Sequence, residues 1–198
     1  MTQKIDIDEF SHRKKDHRLF NYIICVISFL FVIFQLYTAG FGQFPNMIQR
    51  AIHASFGIGL AFLTLPALKK DSKEPKANLV NILLSIVSIV LCCYIVLNYN
   101  RLMEGIGSVA KDFEIYMGIA LIILMLEATR RSTGILLPLM AISSIAYAFL
   151  GGYIPGYWGH CGFRLDYIIE HLYLGPEGIW GELTGISATL VAAYIIFG

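Results

Sequence analysis

Three charged residues stand between two long apolar segments, and their spacing could build an ion-pair cluster at the edge of a membrane. Glu127 is followed by Arg130 and Arg131, three and four positions later. On a helix this spacing places the three side chains on one face, and pairing lowers the cost of a carboxylate beside hydrocarbon. The pattern predicts either a stop-transfer anchor with a local ion pair or a polar clamp to a neighbouring helix or domain.

The histidine and cysteine residues do not form a pattern typical of a catalytic or metal site. His160 and Cys161 are adjacent, which is a poor geometry for sharing one metal ion, and only His171 lies nearby. Arg50 and His53 lie near the start of an apolar segment, where an interfacial polar pair explains them better than a proton relay. The sequence also has no phosphate-binding loop of the GxxxxGK type. We therefore expect no metal, no cofactor and no enzymatic activity.

The composition indicates an integral membrane protein built of helices. Of the 198 residues, 57% are hydrophobic and 15% are charged, whereas soluble domains carry about 25% charged residues. The apolar residues form blocks close to the roughly 20 residues that a helix needs to cross a bilayer. The expected fold is all-α, a polytopic transmembrane helical bundle. The first block is too long for the core of a signal peptide, so we expect an uncleaved anchor.

Five apolar segments are predicted to span the membrane, and they cover residues 19–36, 48–68, 79–98, 113–128 and 134–150. Residues 151–163 are rich in glycine and in aromatic rings, which favour the headgroup level of a bilayer. Residues 164–174 place apolar side chains at helical spacing and predict an amphipathic helix lying along the interface. Residues 186–197 are only about half as long as a membrane span.

Basic residues are concentrated in alternate loops, and this pattern predicts the orientation of the chain. The amino-terminal segment, the loop after the second span and the turn after the fourth span are rich in them, and the other two loops hold few. The basic residues of the three rich regions are Lys4, Arg13, Lys14, Lys15 and Arg18; Lys69, Lys70, Lys73 and Lys76; and Arg130 and Arg131. The positive-inside rule then places the amino terminus in the cytoplasm.

Several segments, in a fixed order, resemble one family of transporters. They are FQLYTAGFG (34–42), QRAIHASFG (49–57), VLNYNRL (96–102), LEATRRSTGILLP (126–138) and the final stretch, residues 151–198. The set is similar to the fused permeases of tripartite ATP-independent periplasmic (TRAP) transporters of the type associated with TAXI solute-binding proteins. In these permeases a four-helix unit is joined to a twelve-helix unit. The likeness covers nearly the whole chain from Phe34 onward.

The resemblance implies three regions and a role in transport. Residues 1–18 would form a cytoplasmic segment, residues 19–131 the Q-type four-helix membrane domain, and residues 132–198 the start of an M-type permease domain. The Glu127 cluster would then lie at the seam between two fused units. In the family, a periplasmic binding protein delivers a solute, often an organic acid. The M-type domain moves the solute in an elevator-like motion driven by a sodium gradient, and the Q-type domain serves as a rigid scaffold.

The resemblance also implies which partners the chain meets. The family's re-entrant hairpins for sodium and substrate would follow residue 198, so we expect an amino-terminal portion that the remainder of the M-type domain completes. A periplasmic TAXI-type solute-binding protein would dock on the outer loops, at Trp158, His160 and Arg164. The expected location is the lipid bilayer of a bacterial or archaeal cytoplasmic (inner) membrane, with no nucleic-acid partner. The alternative interpretation is a non-transport polytopic membrane protein, such as an assembly or sensor subunit.

Overall fold

The structure, a computed structural model, describes residues 2–65, 79–105 and 110–197, with side chains from Phe20 onward. The described residues form helices and connecting turns and contain no strand. The lysine-rich loop predicted at residues 69–76 and the side chains of the basic amino-terminal segment lie outside the described part of the chain.

Nine α-helices are found among the described residues. They are α1 (Thr2–Phe41), α2 (Asn46–Thr64), α3 (Leu79–Leu97), α4 (Tyr99–Glu104), α5 (Asp112–Thr133), α6 (Leu136–Leu150), α7 (Leu165–Ile169), α8 (Glu182–Ile186) and α9 (Ala192–Phe197). A 3₁₀ turn (Gly151–Tyr153) follows α6, a π turn (Glu170–Leu174) extends α7, and a second π turn (Ser187–Val191) joins α8 to α9. The chain is therefore all-α over the described ranges.

Three of the described helices are long and apolar enough to cross a membrane. They cover Phe20–Phe41, Leu79–Leu97 and Leu136–Tyr153, and they match the first, third and fifth predicted spans. The second and fourth predicted spans are also helical over their described residues, as α2 and α5, but neither helix is among these three. The reason is their polar content, because α2 contains Arg50 and His53 and α5 carries acidic residues in its first turn and arginines in its last.

The helices α2, α3 and α5 form the centre of the described structure, and the most extensive contact is between α2 and α3. Fully buried side chains from each of them meet there, including Phe62, Ile95 and Leu121. Close approach of α2 and α3 depends on a small residue, because a Cβ atom at Gly59 would lie 3.3 Å from the Ser85 hydroxyl. That hydroxyl donates a hydrogen bond to the Gly59 carbonyl at 3.1 Å. Such small-residue contacts are typical of helix packing in membranes.

The amphipathic segment predicted at residues 164–174 buries much of its apolar face against α5. Ile169 and Tyr173 are both buried, and they pack over Gly118 of α5. A Cβ atom at Gly118 would overlap the Ile169 side chain and lie 3.0 Å from the Tyr173 Cβ. The helical spacing of apolar residues in this segment thus reflects packing on protein as well as any contact with lipid.

Two hydrogen bonds from aromatic side chains hold this segment in the core. The Tyr173 hydroxyl donates to the Leu91 carbonyl of α3 at 2.9 Å. The Trp180 indole N–H donates to the Tyr173 carbonyl at 2.5 Å. Both rings are fully buried. The Tyr173 hydroxyl and the Trp180 indole N–H therefore each have the hydrogen-bond partner that a buried polar group requires.

The helix α6 has little cover from the described residues, because Pro138 is its only buried residue. Gly134, with a φ of 95°, turns the chain from α5 into α6, and a backbone of this kind favours glycine. After α6 the chain returns, and α8 and α9 contact α2 and α1. Among the described residues, α6 contacts α5, and the segments after α6 pack against α1, α2 and α5.

Candidate functional site

The structure brings Glu127, Arg130 and Arg131 together at the end of α5. The Glu127 carboxylate accepts two hydrogen bonds from Arg130, from Nε at 2.8 Å and from Nη2 at 2.9 Å. It accepts a third from Arg131 Nε at 2.7 Å. The guanidinium of Arg130 thus binds the carboxylate in a two-pronged geometry, which is the strongest arrangement for this kind of pair.

Arg131 also connects α5 to two other helices. Its Nη1 donates to the Asn81 side-chain oxygen of α3 at 2.9 Å and lies 3.5 Å from the Leu65 carbonyl that follows α2. Its guanidinium stands over the Phe62 ring, 5.0 Å from the ring centre. We refer to Glu127, Arg130 and Arg131, with these contacts, as the charge clamp. Of the two alternatives that the sequence left open, this geometry corresponds to a clamp onto neighbouring helices.

The two arginines of the charge clamp occupy different environments. The side chain of Arg131 is only 4% exposed, whereas that of Arg130 is 35% exposed. The hydrogen bond to Glu127 raises the pKa of the Arg130 guanidinium above its ordinary value. Both arginines lie in the last turn of α5, where positive charge interacts favourably with the helix dipole. Arg131 is therefore the structural member of the pair, and Arg130 faces outward beside it.

A second charged cluster, which the sequence analysis did not identify, lies at the other end of α5. The buried carboxylate of Glu114 accepts hydrogen bonds from the Tyr94 hydroxyl at 2.5 Å and from the Lys111 backbone N–H at 3.0 Å. It also forms an ion pair with Arg101 of α4, and its hydrogen bond raises the pKa of that guanidinium. A glutamate in the first turn of a helix was the available signal, since such a residue often binds the N–H at the helix start.

The three residues predicted to dock a binding protein divide into two groups. His160 is turned into its own loop, where its Nδ1 accepts from the Gly162 N–H at 3.0 Å. The proton then belongs on Nε2, which lies 3.2 Å from the Tyr147 carbonyl. The absence of a side chain at Gly151 makes room for the imidazole ring, because a Cβ atom there would overlap it. His160 therefore shapes the loop rather than its surface.

Trp158 and Arg164, in contrast, are available on the surface. The Trp158 side chain is 72% exposed, and its carbonyl accepts a hydrogen bond from the Tyr147 hydroxyl at 2.7 Å. Arg164 is largely exposed and forms an ion pair with Asp166 at 3.0 Å. The loop thus exposes an aromatic ring and a guanidinium at its surface. Hydrogen bonds from Tyr147 to the Trp158 carbonyl and from the Gly162 N–H to His160 hold its backbone in place. We call Trp158 and Arg164 the loop pair.

Arg50 and His53 bind separate neighbours rather than each other, which corrects the predicted polar pair. Arg50 Nη1 donates to the Trp180 carbonyl at 2.8 Å. The Gln35 amide of α1 lies 2.6 Å from His53 Nδ1, and His53 Nε2 lies 3.2 Å from the Ser187 hydroxyl. The partners lie far from α2 along the chain, so the spacing of the two residues on one helix could not reveal them. Together they tie α2 to α1 and to the segment after α7.

The structure offers no evidence for a metal centre in the part of the chain that it describes. No group of three or more His, Cys, Asp or Glu side chains in residues 2–65, 79–105 and 110–197 is arranged to hold a metal ion.

Comparisons of the chain with protein-family models, with curated proteins and with solved structures find no match. Function is therefore inferred from the geometry above and from the resemblance of the sequence segments.

Proposed function

We propose that the chain is the membrane scaffold portion of a sodium-coupled, binding-protein-dependent TRAP permease that imports an organic-acid-like solute. The proposed location is a bacterial or archaeal cytoplasmic membrane, with the amino terminus in the cytoplasm. Three helices of sufficient length and apolar character support a membrane location. The ordered resemblance of five segments to fused TAXI-associated permeases supports the transport role.

The observation that carries the proposal is the position of the charge clamp. It fastens α5 to α2 and α3 immediately before Gly134 turns the chain into α6. On one side of this point lie the closely packed helices of the first unit, and on the other lies a helix with a single buried residue. A fused permease needs such a firm joint where its scaffold ends and its second unit begins. We propose that the remainder of the M-type domain packs against α6.

In this proposal α2 and α5 also cross the membrane, although they carry more polar and charged residues. Polar groups are tolerated inside a bilayer when they face protein and are paired. Arg50 and His53 both have partners on other segments. The charges of α5 lie near its ends, where Glu114 and Glu127 are each held by arginine. The central position of both helices in the described structure fits a scaffold in which α1 and α6 face the lipid.

The loop pair is the proposed contact for a periplasmic TAXI-type solute-binding protein. Tryptophan and arginine are the residues most enriched among the strong contacts of protein interfaces. Trp158 and Arg164 are both exposed, and their loop is fixed by His160 and Tyr147 beneath them. The partner would therefore meet a preformed surface, which keeps the ordering cost of binding low.

The experiment that tests this contact measures the affinity of the membrane protein in nanodiscs for the purified TAXI-type binding protein. Changing Trp158→Ala or Arg164→Ala is expected to weaken binding by about tenfold or more. The matched control is Tyr194→Ala, since Tyr194 is equally exposed but lies on α9. If the three variants bind alike, the loop pair is not the contact. If the unaltered protein shows no binding, the alternative of an assembly or sensor subunit gains support.

A further inference from the structure

A polar cavity lies between the start of α2 and the segment formed by α8 and its π turn. Its volume is about 160 Å³, which is room for a few water molecules or one small organic group. The polar side chains that line it are Gln43, Asn46, Gln49, Arg50, Glu182 and Thr189. Neither the charge clamp nor the loop pair contributes to it, so it is separate from both features already described.

Gln49 contributes a buried hydrogen-bond acceptor that has no partner. Its side chain is only 3% exposed, and its Nε2 donates to the Ala188 carbonyl at 3.4 Å. Its Oε1 is buried and has no hydrogen-bond partner within the described structure. A buried acceptor without a donor is costly. Gln49 is one of the residues that line the cavity, so the cavity wall contains a polar side chain whose hydrogen bonds are incomplete.

Arg50 contributes positive charge at the same cavity. One of its nitrogens, Nη1, is occupied by the Trp180 carbonyl. The guanidinium lies flat against Gly185, where a Cβ atom would come within 2.6 Å of Nε. Among the described residues no carboxylate lies within 4.0 Å of it. Arg50 therefore retains unbalanced charge and further N–H donors beside the cavity.

The start of α2 reinforces this preference for an anion. Pro45 precedes the helix and provides no side-chain cap, so the N–H groups of the first turn have no partner within the helix. Asn46 lines the cavity from that turn. An uncapped helix start with an arginine one turn later is a favourable place for phosphate or carboxylate oxygens. Glu182, an exposed residue on the opposite wall, adds a negative charge at the rim.

We propose that this cavity binds a small zwitterionic group. Its anionic oxygens would meet Arg50 and the first turn of α2, and its ammonium would meet the Glu182 carboxylate at the rim. Phosphoethanolamine has this chemistry, either as a free molecule or as the headgroup of an aminophospholipid. The proposal does not depend on the transport role, because it uses only residues that line the cavity.

The test measures binding of O-phosphoethanolamine to the purified full chain in detergent, by calorimetry, beside inorganic phosphate and ethanolamine separately. Changing Arg50→Gln is expected to weaken binding of phosphoethanolamine by about tenfold or more. Changing Glu182→Gln is expected to weaken it about three- to fivefold, because that carboxylate is exposed, and to leave the affinity for phosphate unchanged or higher, because a nearby negative charge is removed. Glu177→Gln is the matched control, since Glu177 is exposed and lies outside the cavity.

A second arm separates the two sources of the zwitterion. Native mass spectrometry of protein from nanodiscs compares retention of phosphatidylethanolamine with retention of phosphatidylglycerol. Binding of the free zwitterion, or selective retention of phosphatidylethanolamine, supports the site if Glu182→Gln weakens it and Glu177→Gln does not. Arg50→Gln also removes a contact within the fold, so the decisive comparison is between the two glutamate variants. If neither ligand binds, or both glutamate variants behave alike, the proposal is wrong.

Discussion

Replacing Arg131 by methionine is expected to loosen the joint between α5 and its neighbours. Methionine keeps an unbranched apolar stem of similar reach but removes the guanidinium. The change deletes the bond to Glu127 at 2.7 Å, the bond to Asn81 at 2.9 Å and the stacking on Phe62. Glu127 retains Arg130 as a partner, so its charge is not left alone.

The size of the effect follows from these contacts. A hydrogen bond that involves a charged group contributes about 1.5–3 kcal/mol, and a cation over an aromatic ring contributes about 0.5–2 kcal/mol. Because such terms are not additive, we expect Arg131→Met to lower the free energy of unfolding by about 3–4 kcal/mol. For a chain of this size that corresponds to a fall in Tm of roughly 6–16 °C. Arg130→Met is expected to lower Tm clearly less, because Arg130 is the more exposed partner of Glu127 and water screens its charge.

The assay uses the fluorescence of Trp180, which is fully buried in the core. A Trp158→Phe background removes the signal of the exposed second tryptophan. Thermal unfolding in detergent micelles is then followed by the red shift of the remaining tryptophan emission. If Arg131→Met and Arg130→Met lower Tm equally, the three contacts of Arg131 do not form a clamp and the reasoning is refuted.

Three further predictions concern packing, the second charged cluster and topology. Gly118→Ala should lower the free energy of unfolding by about 1–3 kcal/mol, because the added methyl group overlaps Ile169 and Tyr173. Gly57→Ala has open space around it and should leave this free energy unchanged or raise it by up to about 1 kcal/mol. Equal melting temperatures for the two variants would contradict this prediction. Glu114→Gln should lower the free energy of unfolding by about 2–3 kcal/mol, because its charge-assisted hydrogen bonds are lost. The control Glu104→Gln changes an exposed residue and should lower it by at most about 0.5 kcal/mol. Chemical denaturation measures both values. A membrane-impermeant maleimide should label Cys161 on intact spheroplasts, because that exposed thiol lies in the proposed outer loop. Labelling only after permeabilisation would indicate the opposite orientation of the chain.

Features that depend on local spacing could be predicted from the sequence. The lengths of the apolar blocks located α1, α3 and α6, because crossing a bilayer sets a minimum length. The separation of Glu127 from the two arginines likewise predicted their meeting, since residues three and four apart share a helix face.

Features that depend on distant partners could not be predicted in this way. Asn81 binds Arg131, which lies 50 positions later in the chain. No sequence pattern around either residue predicts this contact. His160 was predicted to contact a binding protein, and the sequence did not reveal that one of its ring nitrogens binds within the loop and the other faces the Tyr147 carbonyl of α6. The amphipathic spacing near Ile169 showed that one face is apolar but not that α5 covers it. Periodicity identifies an apolar face, whereas the packing partner depends on tertiary structure.

The measurement that tests the proposed function most directly is the nucleotide sequence downstream of the codon for Gly198. The proposed scaffold role predicts that the reading frame continues and encodes further membrane spans with the re-entrant hairpins of an M-type permease domain. Sodium-dependent uptake by that complete protein would then be the next assay. A stop codon at this point, with no such permease segment encoded beside it, would contradict the scaffold proposal and favour an assembly or sensor subunit.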